Sequence, residues 1–160
     1  MATEKIKFKL ELYSTMWDKA PMVEVCIDEK SLFANEINGT IEKPSIIEFE
    51  HTLVDEQKHE LIIKRSGKTT NQTVINEKGD ILHDQLLHIK RIEIDEIDIG
   101  SLVYNGVYTP QYPEPWATQQ AESGRELKES FTNVTVMGFN GQWKFTFTSP
   151  FYMWLLENLY

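Results

Sequence analysis

Lys5-Ile6-Lys7-Phe8-Lys9-Leu10-Glu11-Leu12 alternates without a break. In an extended chain Ile6, Phe8, Leu10 and Leu12 fall on one face, and Lys5, Lys7, Lys9 and Glu11 on the other. A side-chain period of two predicts a half-buried strand, because a helix would bring residues three and four apart together instead. The pattern recurs along the chain in Val23, Val25 and Ile27, in Ile47, Phe49 and Leu53, and in Glu60-Leu-Ile-Ile-Lys64. Late in the chain Trp143, Phe145 and Phe147 point one way while Lys144, Thr146 and Thr148 point the other. Many short strands with little helix between them predict an all-β sandwich of jelly-roll type.

One stretch breaks phase. Leu87 and Ile89 share a face, but Ile92 and Ile94 lie on the opposite one if the period is carried through. Both pairs reach the core only across a bulge. The spacing therefore predicts a strand over about 86–95, bulged near Lys90-Arg91, and a second strand over 97–104. Turns are expected at Ser66-Gly67-Lys68, at Asn76–Asp80 with Gly79 supplying positive φ, and at Phe139-Asn140-Gly141-Gln142, which reads as a hairpin after Val134 and Val136. Strands 45–53 and 58–65 read as a hairpin that brings His51 towards His59. One or two helical turns are expected over 122–130, weakened by Gly124. A C-terminal helix is expected over 150–158, with Ser149 as its N-cap and Pro150 in its first turn.

The chain has 160 residues, which predicts one domain over 1–160, with a sandwich core of 4–148. Hydrophobic residues are 41% and charged residues 26%, a composition that folds. Twenty-five acidic against 16 basic residues leave a net charge of −9, so a groove for nucleic acid is not expected. Cys26 is the one cysteine; it excludes an intrachain disulfide and a thiolate zinc site, and inside a strand it reads as a small apolar residue. The N-terminus lacks the apolar core of a signal peptide, and no apolar run approaches the roughly 20 residues of a membrane span. Synthesis in the cytoplasm and no membrane partner are the expectation. No Gly-x-Ser-x-Gly, phosphate loop or Gly-x-Gly-x-x-Gly occurs, so no enzyme is expected.

Two groups of residues suit binding. Tyr104, Tyr108, Tyr112 and Trp116 recur every four residues, but Pro110, Pro113 and Pro115 exclude one continuous helix. The stretch 104–120 reads as an extended surface loop that displays rings to a sugar or a protein, or folds back as cover for a sheet. Trp17, in the loop after the first strand, is a ring of the same kind. The second group is acidic: Glu93, Asp95, Glu96 and Asp98 form a rim that either faces solvent or helps to hold a cation.

The elements Val23-Glu-Val-Cys-Ile27, Phe49-Glu-His-Thr-Leu53, Leu61-Ile-Ile63 and Asp84-Gln-Leu-Leu-His-Ile-Lys-Arg-Ile-Glu-Ile94 follow one another in a recognisable order. This order resembles the jelly-roll carbohydrate-binding modules of the calcium-dependent, xylan-binding type, over residues 23–94. The resemblance implies the fold, polysaccharide recognition by exposed rings, and calcium held near Asp84. Two further positions depart from it: the family's Asn two residues on is Leu86, and its second Asp is Lys90. The preceding loop, Lys64-Arg-Ser-Gly-Lys68, is basic rather than acidic. A hard cation takes six to eight oxygens, and one matching aspartate does not supply them. No cofactor is therefore expected; Asp84, Asp95 and Asp98 are the candidates for calcium.

The tail Pro150-Phe-Tyr-Met-Trp-Leu-Leu-Glu-Asn-Leu-Tyr160, the Pro- and Tyr-rich loop and the small acidic sandwich together resemble small proteins of tailed bacteriophages. That resemblance implies a non-enzymatic decoration, neck or fibre component, made in the host cytoplasm, incorporated into a virion and partnered by other virion subunits or by itself. The alternative is a free carbohydrate-binding module that uses Tyr108, Tyr112, Trp116 or Trp17 as sugar platforms.

Overall fold

The computed structural model describes residues 2–69 and 72–158. The last two residues of the aromatic tail, Leu159 and Tyr160, lie outside the described residues. The strands are β1 (Thr3–Thr15), β2 (Met22–Ile27), β3 (Lys30–Glu36), β4 (Ser45–Val54), β5 (Lys58–Ser66), β6 (Val74–Ile75), β7 (Ile81–His83), β8 (Leu86–Ile94), β9 (Ile97–Asp98), β10 (Val107–Pro110), β11 (Val136–Met137) and β12 (Gly141–Thr148). A 3-10 helix spans Gly100–Asn105, and two α-helices follow, α1 (Trp116–Glu122) and α2 (Phe151–Asn158). One sheet runs β11-β8-β1-β4, with β9 added to β8; the other runs β10-β12-β5-β2-β3. Every pairing is antiparallel. β6 and β7 form a hairpin of their own, turning through Gly79 at φ +85°.

β1 is the spine of the first sheet. Ile6, Phe8, Leu10 and Leu12 are all buried, as their alternation requires, and β4 and β8 flank them. Facing them, β12 and β5 bring Trp143, Phe145, Phe147, Leu61 and Ile63 into the same core. The phase break in β8 is a bulge. Glu11 pairs with Arg91 and Leu12 with Ile89, which leaves Lys90 as the extra residue. Leu87, Ile89, Ile92 and Ile94 then all reach the core, and Lys90 and Arg91 both emerge to solvent.

Several local expectations are corrected. Phe139–Gln142 does not close a hairpin: β11 pairs with β8 in one sheet and β12 with β5 in the other, so the chain crosses the sandwich there. The glycine answers to a close approach, since a Cβ on Gly141 would meet the Thr109 carbonyl oxygen at 2.4 Å. β4 and β5 likewise turn a corner between sheets rather than pair. The second strand after β8 stops at Asp98, whose Oδ1 accepts the Gly100 N–H at 2.8 Å, and the 3-10 helix takes over. The helix expected at 122–130 lies about two turns earlier, over Trp116–Glu122, and Gly124 at φ +86° follows its end. Pro113 and Pro115 introduce it, because a proline needs no N–H partner in a first turn; their carbonyls accept from Ala117 and Gln119.

α2 forms where expected, but Ser149 does not cap it. Glu4 reaches over from β1, and its Oε2 accepts both the Phe151 N–H at 2.7 Å and the Ser149 hydroxyl. A carboxylate suits the positive end of a helix. Phe151 and Trp154 then pack edge-on against Phe147 and Phe145, with centroids 5.8 and 5.6 Å apart.

His59 is buried at the corner after β4 and is not a surface histidine. Its Nε2 donates to the Val54 carbonyl at 2.9 Å, and its Nδ1 faces Asp28 Oδ2 at 2.9 Å. Both partners only accept, so this pair of contacts favours the doubly protonated ring. Burial opposes that charge, but the bonds to Asp28 and Val54 and the nearby carboxylates outweigh it, and the pKa is raised above 6.5. A raised imidazole pKa adds stability that is full below pH 6.5 and fades as pH rises through the folded value. Asp28→Asn is expected to lower the His59 pKa in an NMR titration and to cost more stability below pH 6.5 than above the folded value. An unchanged His59 titration would refute the pairing. His51 and His88 are shifted downward, chiefly by burial, so the difference between variant and parent is the quantity to follow.

Candidate functional site

The β8 bulge shapes an open cleft on the outside of the sandwich. A cleft of ≈ 560 Å³ opens between the outer face of β1 and β8 and the 3-10 helix. Glu11, Lys90, Arg91, Asp98, Tyr104 and Thr135 line it. Arg91 is its centre: Nε lies 3.5 Å from Asp98 Oδ2 and 3.8 Å from Glu11 Oε2, and Nη2 lies 3.4 Å from Glu93 Oε1. Exposed ion pairs of this length contribute little to stability, roughly 0–1 kcal/mol. Their effect is to hold a planar five-donor group in place above the sheet. Tyr104 stands at the edge of the cleft, 47% exposed, on the 3-10 helix that Asp98 starts. The cleft thus combines one flat ring with fixed donors and acceptors. A second groove, ≈ 520 Å³, crosses the same sheet between β4, β1 and β8; Lys7, Lys9, Glu48, Glu50, Glu93 and Glu96 are its charged lining.

The rings expected to act together are dispersed. Tyr108 is not a surface platform: it is buried in β10, where its hydroxyl donates to the Phe139 carbonyl at 2.6 Å and accepts from the Phe139 N–H at 2.9 Å. Burial pushes its pKa up to about 12. Tyr112 and Trp116 are brought together, but around Phe139, at centroid distances of 5.0 and 5.3 Å. The Tyr112 hydroxyl donates to the Lys128 carbonyl at 2.6 Å. These rings hold the 111–131 excursion onto the sandwich, the folding-back alternative of the sequence. Trp17 stacks on His83 at 3.7 Å beside the β6–β7 hairpin, and 42% of it stays exposed.

The acidic rim is explained locally. Asp95 and Glu96 form the two-residue turn between β8 and β9, at φ 54° and 66°, where short polar side chains tolerate the left-handed conformation. Asp98 is engaged by Gly100 and Arg91. Asp84 sits elsewhere, ahead of β8. Its Oδ1 accepts from Lys68 Nζ at 2.6 Å, Thr73 Oγ1 at 2.8 Å and the Gln85 N–H at 2.8 Å. Among the described residues no group of three or more His, Cys, Asp or Glu is placed to hold a metal ion. An aspartate whose Oδ1 is already held by an ammonium and two neutral donors, with no second carboxylate beside it, does not fit calcium, and Asp95 and Asp98 supply no joint ligand set with it.

No family model matches the chain, and no curated protein matches it. Solved structures do. One is vCBM60 in complex with galactobiose: TM-score 0.50, 9% identity, covering 87% of this chain and 96% of that one. Another is the selenomethionine form of vCBM60, described with two families of calcium-dependent carbohydrate-binding modules linked by circular permutation. It has a TM-score of 0.50 and 8% identity, and covers 88% of this chain and 89% of that one. The chain shares the jelly-roll sandwich fold of these modules. This jelly roll with its short C-terminal helix is the architecture the alternating stretches imply. The sandwich also positions the cleft, whose parts come from β1, β8, β9, the 3-10 helix and the segment before β11. No helix among the described residues is long and apolar enough to cross a membrane.

Arg91 and Glu11 were not among the expected binding residues. The signal of Arg91 lay in the phase break of β8, which turns it and Lys90 outward, and that of Glu11 in the polar face of the first alternating stretch.

Proposed function

We propose that this protein is a non-catalytic polysaccharide-binding module whose ligand lies in the Tyr104 cleft. The observation that carries this reading is the exposed ring in one cleft with a guanidinium that has three carboxylates within 4 Å. Sugar rings offer an apolar face for stacking and hydroxyls for hydrogen bonding. Tyr104 meets the first, and Arg91, Asp98, Glu11 and Thr135 meet the second. The lining carries both signs of charge, and the whole chain carries −9, which favours a neutral polysaccharide over an acidic one. The fold neighbour bound to galactobiose makes galactose oligosaccharides the first ligands to try.

Tyr104→Ala is expected to weaken saccharide binding roughly two- to twelvefold, the worth of about 0.5–1.5 kcal/mol of aromatic contact. Titration calorimetry against soluble polysaccharides measures this, and the melting temperature should hold because the ring is exposed. Saccharide binding that survives in Tyr104→Ala but fails in Trp17→Ala would move the site to the β6–β7 hairpin.

A second reading is a protein-interaction component of a larger particle, such as a phage virion. The apolar residues left exposed on α2, Tyr152, Met153 and Leu156, and on the β6–β7 hairpin, Ile75, Ile81 and Leu82, favour it. The solution mass separates the two: a monomer with saccharide affinity supports the module, and an oligomer without it supports the particle component.

A further inference from the structure

We propose that the Lys68 ammonium is the built-in cation at Asp84, and that it makes this protein independent of calcium. Lys68 Nζ lies 2.6 Å from Asp84 Oδ1 and 2.6 Å from the Gly138 carbonyl oxygen, 5.8 Å above the centre of the Phe139 ring. The pair is nearly enclosed; the two side chains are 10% and 19% exposed. The backbone is fixed with it. The Lys68 N–H donates to Asn140 Oδ1 at 3.0 Å, and the Lys68 carbonyl accepts from Asn140 Nδ2 at 2.9 Å. One positive charge therefore draws together the turn after β5, Asp84 ahead of β8, and the crossing between β11 and β12. Asp84 in turn holds Thr73 and the Gln85 N–H.

Gathering a carboxylate and a carbonyl from distant segments is the structural work of a calcium ion. A calcium ion at Asp84 would have to expel the ammonium, and it would find one carboxylate where it needs six to eight oxygens. Arg65, also buried at this end of the sandwich, adds positive charge and opposes a second cation. The basic loop that departs from the calcium-binding pattern is thus the part of the chain that replaces the metal.

The test is a melting curve of the purified protein after chelation, with and without millimolar calcium. The unaltered protein is expected to melt at the same temperature in both, whereas a bound ion would raise it by mass action. Lys68→Met keeps the length and removes the charge; it is expected to melt roughly 5–15 °C lower, as the buried aspartate loses its partner. Asp84→Asn, which strands the ammonium, is expected to melt lower too. A calcium-dependent rise in the unaltered protein would overturn the proposal, as would a Lys68→Met variant as stable as its parent. Should Lys68→Met fail to fold, the calcium comparison and Asp84→Asn still decide. None of these readings involves saccharide, so their failure leaves the polysaccharide assignment untouched.

Discussion

Arg65→Met is expected to lower the stability by about 3 kcal/mol and to shift the urea midpoint accordingly, with the slope unchanged. Arg65 occupies an inner position of β5, in line with Leu61 and Ile63, and is 2% exposed. No carboxylate pairs with it among the described residues. Its Nη1 donates to the Met137 carbonyl, and its Nη2 donates at 2.7 Å to both the carbonyl and Oε1 of Gln85. The guanidinium thus fastens β5, in one sheet, to the two ends of β8 and β11 in the other. Burial pushes its pKa down to about 10, so it is still charged at neutral pH.

Methionine matches the stem but leaves those acceptors buried without a donor, at about 1–3 kcal/mol each. Relief of the buried charge works in the opposite direction, and this is why the net expectation is well below the sum. Arg65→Lys is expected to recover little, because one ammonium does not span acceptors set out for a planar fork. If Arg65→Met matched the parent in stability, desolvation of the guanidinium would equal everything its bonds contribute, and the clasp would be unnecessary to the fold.

Arg65 also marks the limit of what the chain reveals when read as a line. Periodicity located β1, β2, β5, β8 and β12 because each buries one face, and it located the Lys90 bulge because four apolar residues could not otherwise share a core. It did not reveal pairing. The Asn140-Gly141 and Asp55–Gln57 turns have the composition of hairpins and make crossings between sheets, since a tight turn returns the chain without specifying which sheet receives it. Val107-Tyr108-Thr109 is a β-prone run whose strand was hidden by the prolines after it, and with it the burial of Tyr108. The cleft was the least legible part. Glu11, the stretch from Arg91 to Tyr104, and Thr135 are far apart along the chain and meet only after β1, β8 and the 3-10 helix have assembled. The same holds for Lys68 and Asp84, whose opposite charges are unremarkable until the loop after β5 folds over the start of β8.

Gly106→Ala is expected to be strongly destabilising, and Trp143→Phe to restore part of the loss. Gly106 closes the 3-10 helix with φ −63° and ψ 146°, angles that any residue can adopt. Backbone freedom is therefore not the reason for glycine here; space is. A Cβ would lie 2.1, 2.2 and 2.3 Å from Cε2, Cζ2 and Nε1 of Trp143. That indole is fully buried and stacks on Phe145 at 6.1 Å, so it cannot swing aside. Overpacking of a dense core costs about 1–3 kcal/mol, and a rigid ring on the clashing side places this case at or above the upper end. Of the clashing atoms, Cζ2 belongs to the fused ring that phenylalanine lacks, while a phenyl ring keeps carbons near Nε1 and Cε2, so the smaller ring relieves the clash in part. Trp143 Nε1 also has no hydrogen-bond partner among the described residues, so the smaller ring forfeits only packing. Trp143→Phe alone is expected to lose stability to the cavity, while Gly106→Ala/Trp143→Phe should be more stable than Gly106→Ala by itself. A double-mutant cycle in urea measures this coupling, and strict additivity of the two losses would show that the indole and the glycine do not share the space assigned to them.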